Sequence, residues 1–218
     1  MKKAILFGAS GFVGSYLLEE LLKDSNYEQV TIVIRKDLNI QYPKLKMLIG
    51  DYTNLPELKE NIVADDVFIA LGTTKKNTPN QDKYYQVDHD YPVLAAKIAK
   101  QNGAKSVFLV TAVGANINSS VFYIRTKGEV ERDIIALDFD HTHIFRPSMI
   151  LGMRKEKRIL EKVFLKIWAV IEPLFIGKRL SKYRGIEAKN IAKAMQNAAK
   201  HETKKTSIYH WEEMNALL

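Results

Sequence analysis

The feature that most constrains the fold of this chain is a short apolar run near its start that passes directly into three glycines. Gly8, Gly11 and Gly14 stand three residues apart, and the residues after them have the apolar period of a helix. Glycine permits a tight turn and a close approach to bare backbone N–H groups, and the start of a helix attracts anions. The spacing predicts a strand, turn and helix that bind the phosphates of a dinucleotide, with a purely structural turn as the alternative. The predicted phosphate-binding residues are Gly8, Ser10, Gly11, Phe12, Val13 and Gly14.

The length of 218 residues suits one domain, 1–218, and the composition is ordinary for a globular protein, with 46% hydrophobic and 27% charged residues. Cysteine is absent, which excludes disulfides and thiolate ligands, and the five histidines form no metal-ligand pattern, so we predict no metal site. The apolar run before Gly8 is too short for a secretion signal, and no stretch reaches the ~20 apolar residues that span a bilayer. We therefore expect a cytoplasmic protein.

The formal net charge of +8 is concentrated towards the C-terminal end. Residues 154–205 contain fifteen Lys or Arg against five Glu, so the rest of the chain is close to neutral. We interpret this excess as solvated helix faces, with a surface for something anionic, whether nucleic acid, an acidic lipid face or an acidic partner, as the alternative. We do not expect nucleic-acid binding.

Short apolar runs alternate along the chain with longer segments of helical period, which predicts a doubly wound α/β fold with a parallel sheet. The predicted strands are residues 4–7, 30–35, 45–49, 66–70, 106–111, 141–145 and 206–209. The predicted helices are residues 12–24, 84–102, 122–137, 159–171 and 187–200. In such a sheet the ligand lies beyond the carboxyl ends of the strands, so the loops that follow the strands are the candidate site.

The second predicted strand ends at Arg35 and Lys36, where an acidic residue would select NAD by bonding the ribose 2′-hydroxyl. A guanidinium instead suits a 2′-phosphate, because it combines full charge with paired donors. We therefore predict binding of NADP(H) in preference to NAD(H). The alternative is that both cations only solvate a turn.

Two further loops follow the third and fourth predicted strands. Asp51 and Tyr52 are predicted to flank the adenine, with Asp51 accepting from its amino group. Leu71, Gly72 and Thr73 are predicted to lie against the ribose and diphosphate, where Gly72 allows close backbone approach. Two ordinary turns are the alternative interpretation.

A candidate catalytic group follows the fifth predicted strand. Tyr123 and Lys127 stand four residues apart, so a helix places them on one face. An ammonium beside a phenol favours the phenolate, and we expect the pKa of Tyr123 to fall towards working pH, as suits a proton donor to a carbonyl. Lys127 is also predicted to bind the nicotinamide ribose, and Thr111, at the strand tip, to hold the substrate oxygen.

The chain after the sixth predicted strand is less informative. Pro147 is predicted to lie beside the nicotinamide, with a plain strand terminator as the alternative. Residues 149–185 form a variable segment, which we expect to line a pocket for a small-molecule substrate or to meet a partner protein or second copy. Its apolar helix, residues 159–171, is also compatible with a peripheral membrane contact, which we do not favour.

Several of these segments together resemble a known family. Residues 8–14, 71–74, 87–91, 123–131 and 145–147 occur in the order found in the atypical short-chain dehydrogenase/reductases, in the branch of the Tat-interacting protein oxidoreductases. The resemblance covers nearly the whole chain. It implies a Rossmann fold, NADP(H) binding by the first loop with Arg35, and an active site of Thr111, Tyr123 and Lys127.

One departure from this family concerns the tip of the fifth strand, where relatives usually carry Ser-Ser and this chain has Thr111-Ala112. The main hypothesis is an NADP(H)-dependent oxidoreductase that transfers hydride to a small carbonyl compound. Because Ala112 lacks the second hydroxyl, the alternative is a non-catalytic NADP(H) sensor that acts through a partner protein. An isomerase that uses the nucleotide transiently is a third hypothesis, which the short C-terminal portion disfavours.

Overall fold

The computed structural model describes residues 1–152, 180–201 and 204–218, and within these residues a parallel sheet of seven strands forms the centre of the molecule. Two further strands pair with each other in a second, small parallel sheet. The strands in chain order are β1 Lys2–Phe7, β2 Tyr27–Ile34, β3 Leu45–Ile49, β4 Asp66–Ile69, β5 Ser106–Val110, β6 His141–Phe145, β7 Ile150–Leu151, β8 Ile186–Glu187 and β9 Thr206–Tyr209.

Helices connect these strands and cover both faces of the sheet. In chain order they are α1 Phe12–Lys23, α2 Gln81–Tyr85, α3 Tyr91–Gln101, α4 Phe122–Ala136, α5 Ala188–Ala198 and α6 Trp211–Ala216. A π-helical turn, Gln86–Asp90, joins α2 to α3 without a break, so residues 81–101 form one long helix. Short 3₁₀ helices lie at Leu55–Asn61 and Ser181–Tyr183.

The order of strands in the main sheet is β3-β2-β1-β4-β5-β6-β9, and every neighbouring pair is parallel. The chain therefore begins at the centre, winds outwards through β2 and β3, and then returns to continue from β4 on the other side of β1. This reversal leaves a crevice beyond the carboxyl ends of β1 and β4, the usual ligand site of such sheets. The predicted doubly wound parallel sheet is confirmed.

The apolar strands are buried on both faces, which explains their continuous hydrophobic runs. Residues 4–7 of β1 are fully buried, as is most of β5. One apolar layer lies between the sheet and α1 with α5, and the other lies between the sheet and the 81–101 helix with α4. In the first layer Phe68 and Phe108, from neighbouring strands, stack with ring centroids 4.5 Å apart.

The predicted element boundaries differ from the observed ones by a few residues. The second helix begins at Gln81 instead of residue 84, because the Asn80 side chain accepts from the Lys83 N–H at 2.8 Å and caps it. Strands β7 and β8 and helix α6 were not predicted, since elements of two to six residues are too short to show a hydrophobic period. The predicted helix 159–171 and its proposed membrane contact lie outside the described residues, as does most of the segment 149–185.

The described part of the basic C-terminal region forms ion pairs within the fold. Along α5, Lys193 lies 3.1 Å from Glu20 of α1, and just after α5 Lys200 lies 3.5 Å from Asp24. These pairs agree with our interpretation of the positive charge as helix faces, for the residues that the structure describes. Within residues 1–152, 180–201 and 204–218, no helix is both long enough and apolar enough to cross a membrane.

Candidate cofactor and active site

The glycine turn between β1 and α1 requires glycine for steric reasons. Gly8 has a φ of +93°, and a Cβ there would come within 2.6 Å of the Ala70 carbonyl oxygen. The Gly11 N–H donates to the Gly8 carbonyl at 2.9 Å, which closes the turn. A Cβ on Gly14 would lie 2.0 Å from that same carbonyl oxygen, so only glycine lets α1 pack this closely against the turn.

The first turn of α1 faces a cavity. Gly11 is its N-cap, and among the described residues no side chain caps this end and no acidic residue lies in its first turn. Gly11, Phe12 and Val13 line the cavity, while Gly8 and Gly14 build the turn behind them and Ser10 is exposed. The positive end of the helix dipole therefore lies at the cavity, as anion binding requires.

This cavity has a volume of about 390 Å³ and spans the crevice beyond the sheet. Its described walls come from the start of α1, the end of β4, the π-helical turn, the end of β5, α4, and the segment after β6. The lining residues are 11–13, 70–74, 88, 110, 111, 123, 127, 149, 150 and 152. Predicted residues Leu71, Gly72, Thr73, Thr111, Tyr123 and Lys127 are thus brought together with the glycine turn.

A buried ion pair lies in the wall of the cavity. The Lys127 ammonium is 2.6 Å from an Asp88 carboxylate oxygen, and the two side chains are 6% and 1% exposed. The other Asp88 oxygen accepts from the Thr73 N–H at 2.8 Å. A Cβ on Gly72 would lie 3.6 Å from Asp88 and 3.8 Å from Lys127, so the bare Gly72 backbone covers this pair at van der Waals distance.

The expectation that the pKa of Tyr123 falls towards working pH is wrong, because removal of the phenol from water outweighs the effect of the Lys127 ammonium. Tyr123 keeps 41% of its surface exposed, yet desolvation of its phenol is the largest effect and raises the pKa above the ordinary value of 10.0. The Lys127 ammonium acts in the expected direction, but the Asp88 carboxylate opposes it. In this structure Tyr123 therefore holds its proton at neutral pH.

Thr111 lines the cavity, but its hydroxyl hydrogen is directed into the protein. The hydroxyl donates to a Glu131 carboxylate oxygen at 2.6 Å, and Thr111 is only 5% exposed. Arg146 donates to both oxygens of the same carboxylate, with its Nε at 2.9 Å. These three residues, from the ends of β5 and β6 and from α4, form one network behind the cavity, in which Thr111 and Glu131 are buried and Arg146 is partly exposed.

Asp88, Glu131 and Arg146 are the site residues that the sequence analysis did not single out. A signal existed for Glu131, because Tyr123, Lys127 and Glu131 repeat every four residues on one face of α4. The position of Asp88 depends on the π-helical turn, whose extra residue changes the face that Asp88 presents and which no sequence period marks.

The predicted adenosine end of the site lies at the ends of β2 and β3. Arg35 and Lys36 are exposed just beyond β2, and the Arg35 charge contributes to lowering the pKa of Asp51, although hydrogen bonds from Thr53 contribute more. The Asp51 carboxylate accepts from the Thr53 N–H at 2.8 Å, so one of its oxygens stabilises the local turn. Tyr52 stacks on Tyr91 at 4.6 Å.

Pro147 is buried, and its carbonyl accepts from the Val113 N–H at 2.9 Å, which ties the β6 end to the loop after β5. Pro147 is not among the described residues that line the cavity, and Met149 and Ile150 reach it instead. Gly152, with a φ of +127°, packs over the Phe12 ring.

Comparisons with known proteins agree with this architecture. The profile of the NAD(P)H-binding family matches residues 8–163. Protein FMP52, mitochondrial, from Candida glabrata is 35% identical over 210 residues, covering 94% of this chain and 88% of that protein. Protein HTATIP2 from Rattus norvegicus is 35% identical over 161 residues, covering 72% of this chain and 66% of that protein.

Solved structures that resemble this chain share its fold at low sequence identity. MoeE5 in complex with UDP-glucose and NAD superposes with a TM-score of 0.69 at 16% identity, covering 98% of this chain and 80% of that one. The UDP-N-acetylglucosamine 4-epimerase from Methanobrevibacter ruminantium M1, in complex with UDP-N-acetylmuramic acid, gives 0.70 at 17% identity, covering 96% and 76%.

The expected cytoplasmic location is wrong on this comparison, because FMP52 relatives of this chain are named as mitochondrial proteins. The expected family is confirmed, both by the profile that spans most of the chain and by relatives that match over most of their length. This chain therefore belongs to the NAD(P)H-binding family of Rossmann-fold proteins, as a homologue of FMP52 and HTATIP2.

Proposed function

We propose that this protein is an NADP(H)-dependent oxidoreductase that reduces a small carbonyl compound. The observation that carries the proposal is that Tyr123 and Lys127, on one face of α4, line the same cavity as the uncapped start of α1. One wall of that cavity is suited to an anion and the other to proton transfer.

The described residues fit a nicotinamide dinucleotide. The positive start of α1, with the N–H groups of residues 12 and 13, would hold its diphosphate, because the glycine turn keeps side chains away from them. Residues 71–73 would lie along its ribose, where Gly72 leaves the backbone bare, and Lys127 would reach the second ribose. When bound, the cofactor supplies the hydride that a carbonyl carbon accepts.

In this proposal Tyr123 is the proton donor to the carbonyl oxygen. Burial and the Asp88 carboxylate raise the pKa of its phenol, so the hydroxyl carries a proton at neutral pH and can give it to an oxygen that gains negative charge. The Lys127 ammonium then stabilises the phenolate that Tyr123 becomes. Asp88 holds that ammonium in place through the 2.6 Å contact.

We infer a preference for NADP(H) from the end of β2. Arg35 and Lys36 are exposed there and offer donors and positive charge to a 2′-phosphate. Hydrogen bonds from Thr53 hold the Asp51 carboxylate at the local backbone and lower the pKa of Asp51 most. The nearby Arg35 charge lowers this pKa further. The guanidinium is thus available at the position where an acidic residue would select NAD.

The proton-donor role is tested with Tyr123→Phe, which removes only the hydroxyl. We expect NADPH consumption with a panel of small carbonyl compounds to fall by roughly 100-fold or more, since proton transfer contributes about 10²–10⁴-fold. The affinity for NADPH, measured by calorimetry, should change less than a few-fold. Tyr85→Phe, a phenol on the neighbouring helix, is the matched control. Full turnover in the Tyr123 variant would remove this residue from the mechanism.

A second candidate function is a non-catalytic NADP(H) sensor. It is favoured by Ala112, which brings no hydroxyl to the strand tip, and by Asp88, whose carboxylate offsets the charge of Lys127 beside Tyr123. In this function the cofactor would order a surface for a partner protein. Micromolar NADPH binding together with no turnover of any carbonyl in the panel would favour the sensor over the oxidoreductase.

A further inference from the structure

The hydroxyl of Thr111 is constrained in a way that the reduction of a carbonyl does not explain. Two acceptors surround it within the protein: a Glu131 carboxylate oxygen at 2.6 Å and the Phe145 carbonyl oxygen at 3.4 Å. A threonine hydroxyl has a single hydrogen and two lone pairs. Both acceptors lie within the protein, so the hydrogen is engaged there, and the lone pairs are what this cavity-lining hydroxyl has left for a ligand.

The partner of Thr111 can only accept. Glu131 is 4% exposed, and Arg146 donates to both of its oxygens in a two-pronged arrangement. A carboxylate bound in this way has lone pairs but no hydrogen to give. The 2.6 Å separation is in the range of a charge-assisted O–H···O⁻ bond, which is stronger than a bond between neutral groups. A ligand would have to break this bond before Thr111 could donate to it.

This arrangement conflicts with the predicted role of Thr111. A carbonyl oxygen is an acceptor, and two acceptors cannot form a hydrogen bond with each other. Tyr123 has a hydrogen to offer to such an oxygen, whereas Thr111 presents lone pairs. A ligand group that bonds Thr111 must therefore carry an O–H or N–H of its own.

We propose that Thr111 is a hydrogen-bond acceptor that selects carbonyl substrates bearing a hydroxyl group close to the reacting carbonyl, and that Glu131 and Arg146 are positioning residues that fix this polarity. The proposal rests on the proposed oxidoreductase function and narrows its substrate class to hydroxy-carbonyl compounds. Tyr123 and Thr111 then divide the recognition between them, one donating to the carbonyl oxygen and the other accepting from the hydroxyl.

The spacing of residues in the chain supports this division. Tyr123, Lys127 and Glu131 follow one another at intervals of four on α4, so a single helix face carries the donor, its cation and the group that orients Thr111. Gly128, on the next face, allows the backbone of residues 116–117 to pack on α4, where a Cβ would lie 2.4 Å from it. The loop that follows Thr111 is thereby held against the same helix.

The experiment compares a hydroxy ketone with a plain ketone of the same chain length, using the wild type, Thr111→Val and Thr111→Ser. We expect the wild type to favour the hydroxy ketone in kcat/KM. Valine should lower kcat/KM for the hydroxy ketone by roughly three- to tenfold more than it lowers kcat/KM for the plain ketone, the effect of one neutral hydrogen bond. Serine, which keeps the hydroxyl, should retain the preference. Loss of both activities in parallel, or no change in preference, would overturn the proposal.

The positioning role is tested with Glu131→Leu, which removes the acceptor and frees the Thr111 hydrogen, so the preference for the hydroxy ketone should fall. Glu129→Leu, two residues away on α4, is the control and should keep the preference. If neither ketone is turned over, binding of the hydroxy ketone to the protein with NADP⁺ is measured by calorimetry. If Thr111→Val weakens this binding, the acceptor role of Thr111 is supported although the proposed oxidoreductase function has failed. If Thr111→Val leaves this binding unchanged, the acceptor role is overturned as well.

Discussion

The contact between Gly14 and the glycine turn makes a prediction whose sign depends on two opposing effects. Replacing Gly14 with alanine adds a Cβ that would lie 2.0 Å from the Gly8 carbonyl oxygen and 2.7 Å from its carbon. Since Cβ contacts below 3.0 Å essentially never occur, α1 must retreat from the turn by about 1 Å. The obstacle is backbone, so no side chain can rotate out of the way.

The opposing effect is helix propensity. Alanine is favoured over glycine within a helix by about 1 kcal/mol, so an unobstructed substitution would stabilise α1. Overpacking in a close-packed interior costs about 1–3 kcal/mol and occasionally more, and a shift of this size against backbone lies at the upper end. We therefore expect a net destabilisation of about 1–2 kcal/mol. For a chain of this length, that lowers the Tm by roughly 2–8 °C.

Thermal unfolding by calorimetry measures the change, with Ser15→Ala as the control. Ser15 is the next residue of α1, and its substitution adds no atom, so we expect a change within about 0.5 kcal/mol. Because a displaced α1 misaligns the N–H groups of residues 12 and 13, Gly14→Ala should also weaken NADPH binding. A Tm equal to or above that of the wild type, with NADPH affinity intact, would refute the packing argument.

Two further predictions follow from charged and phenolic groups. Arg35→Ala should weaken NADPH binding by roughly tenfold, because it removes one charge-assisted contact to the 2′-phosphate, and should leave NADH binding nearly unchanged. Calorimetry measures both affinities, and equal losses for the two nucleotides would contradict the role of Arg35 at the 2′-phosphate. Burial raises the pKa of Tyr52, Tyr84 and Tyr85, that of Tyr85 to about 12, so the folded state favours the protonated phenols. Stability from this source is present below the unfolded pKa of 10.0 and is lost as the pH rises towards 12. Urea unfolding is measured between about pH 8 and about pH 12. The free energy of unfolding should fall only above about pH 10, and it should fall less steeply in Tyr85→Phe.

The sequence was informative where a backbone requirement appears as a residue type. Gly8 and Gly14 were recognised from their spacing between a predicted strand and a predicted helix. The structure explains both glycines, because a Cβ on Gly8 would clash with the Ala70 carbonyl and a Cβ on Gly14 would clash with the Gly8 carbonyl. The strands were recognised because burial on both faces demands continuous apolar runs. The predicted boundaries of β3, β6 and β9 coincide with the observed ones.

The candidate site was predicted less completely, because its chemistry depends on contacts between distant parts of the chain. Tyr123 and Lys127 were found from their spacing, but Asp88, thirty-nine residues before Lys127, forms the ion pair with Lys127 and contributes to raising the pKa of Tyr123, after burial of the phenol. Thr111 was found as a hydroxyl at a strand tip, but Glu131 and Arg146 determine which way its hydrogen points. The sequence contains these residues without indicating that they meet.

Local steric and hydrophobic requirements involve residues that are close together in the chain. The sequence by itself therefore determined the turn at residues 8–14, the alternation of strands and helices, and the family. The direction of each hydrogen bond and the sign of the Tyr123 pKa shift were decided only by the tertiary structure. The direction of a hydrogen bond depends on which groups folding brings within reach of each other. The sign of the pKa shift depends on how far folding removes the phenol from water, with smaller and opposed effects of the Lys127 and Asp88 charges.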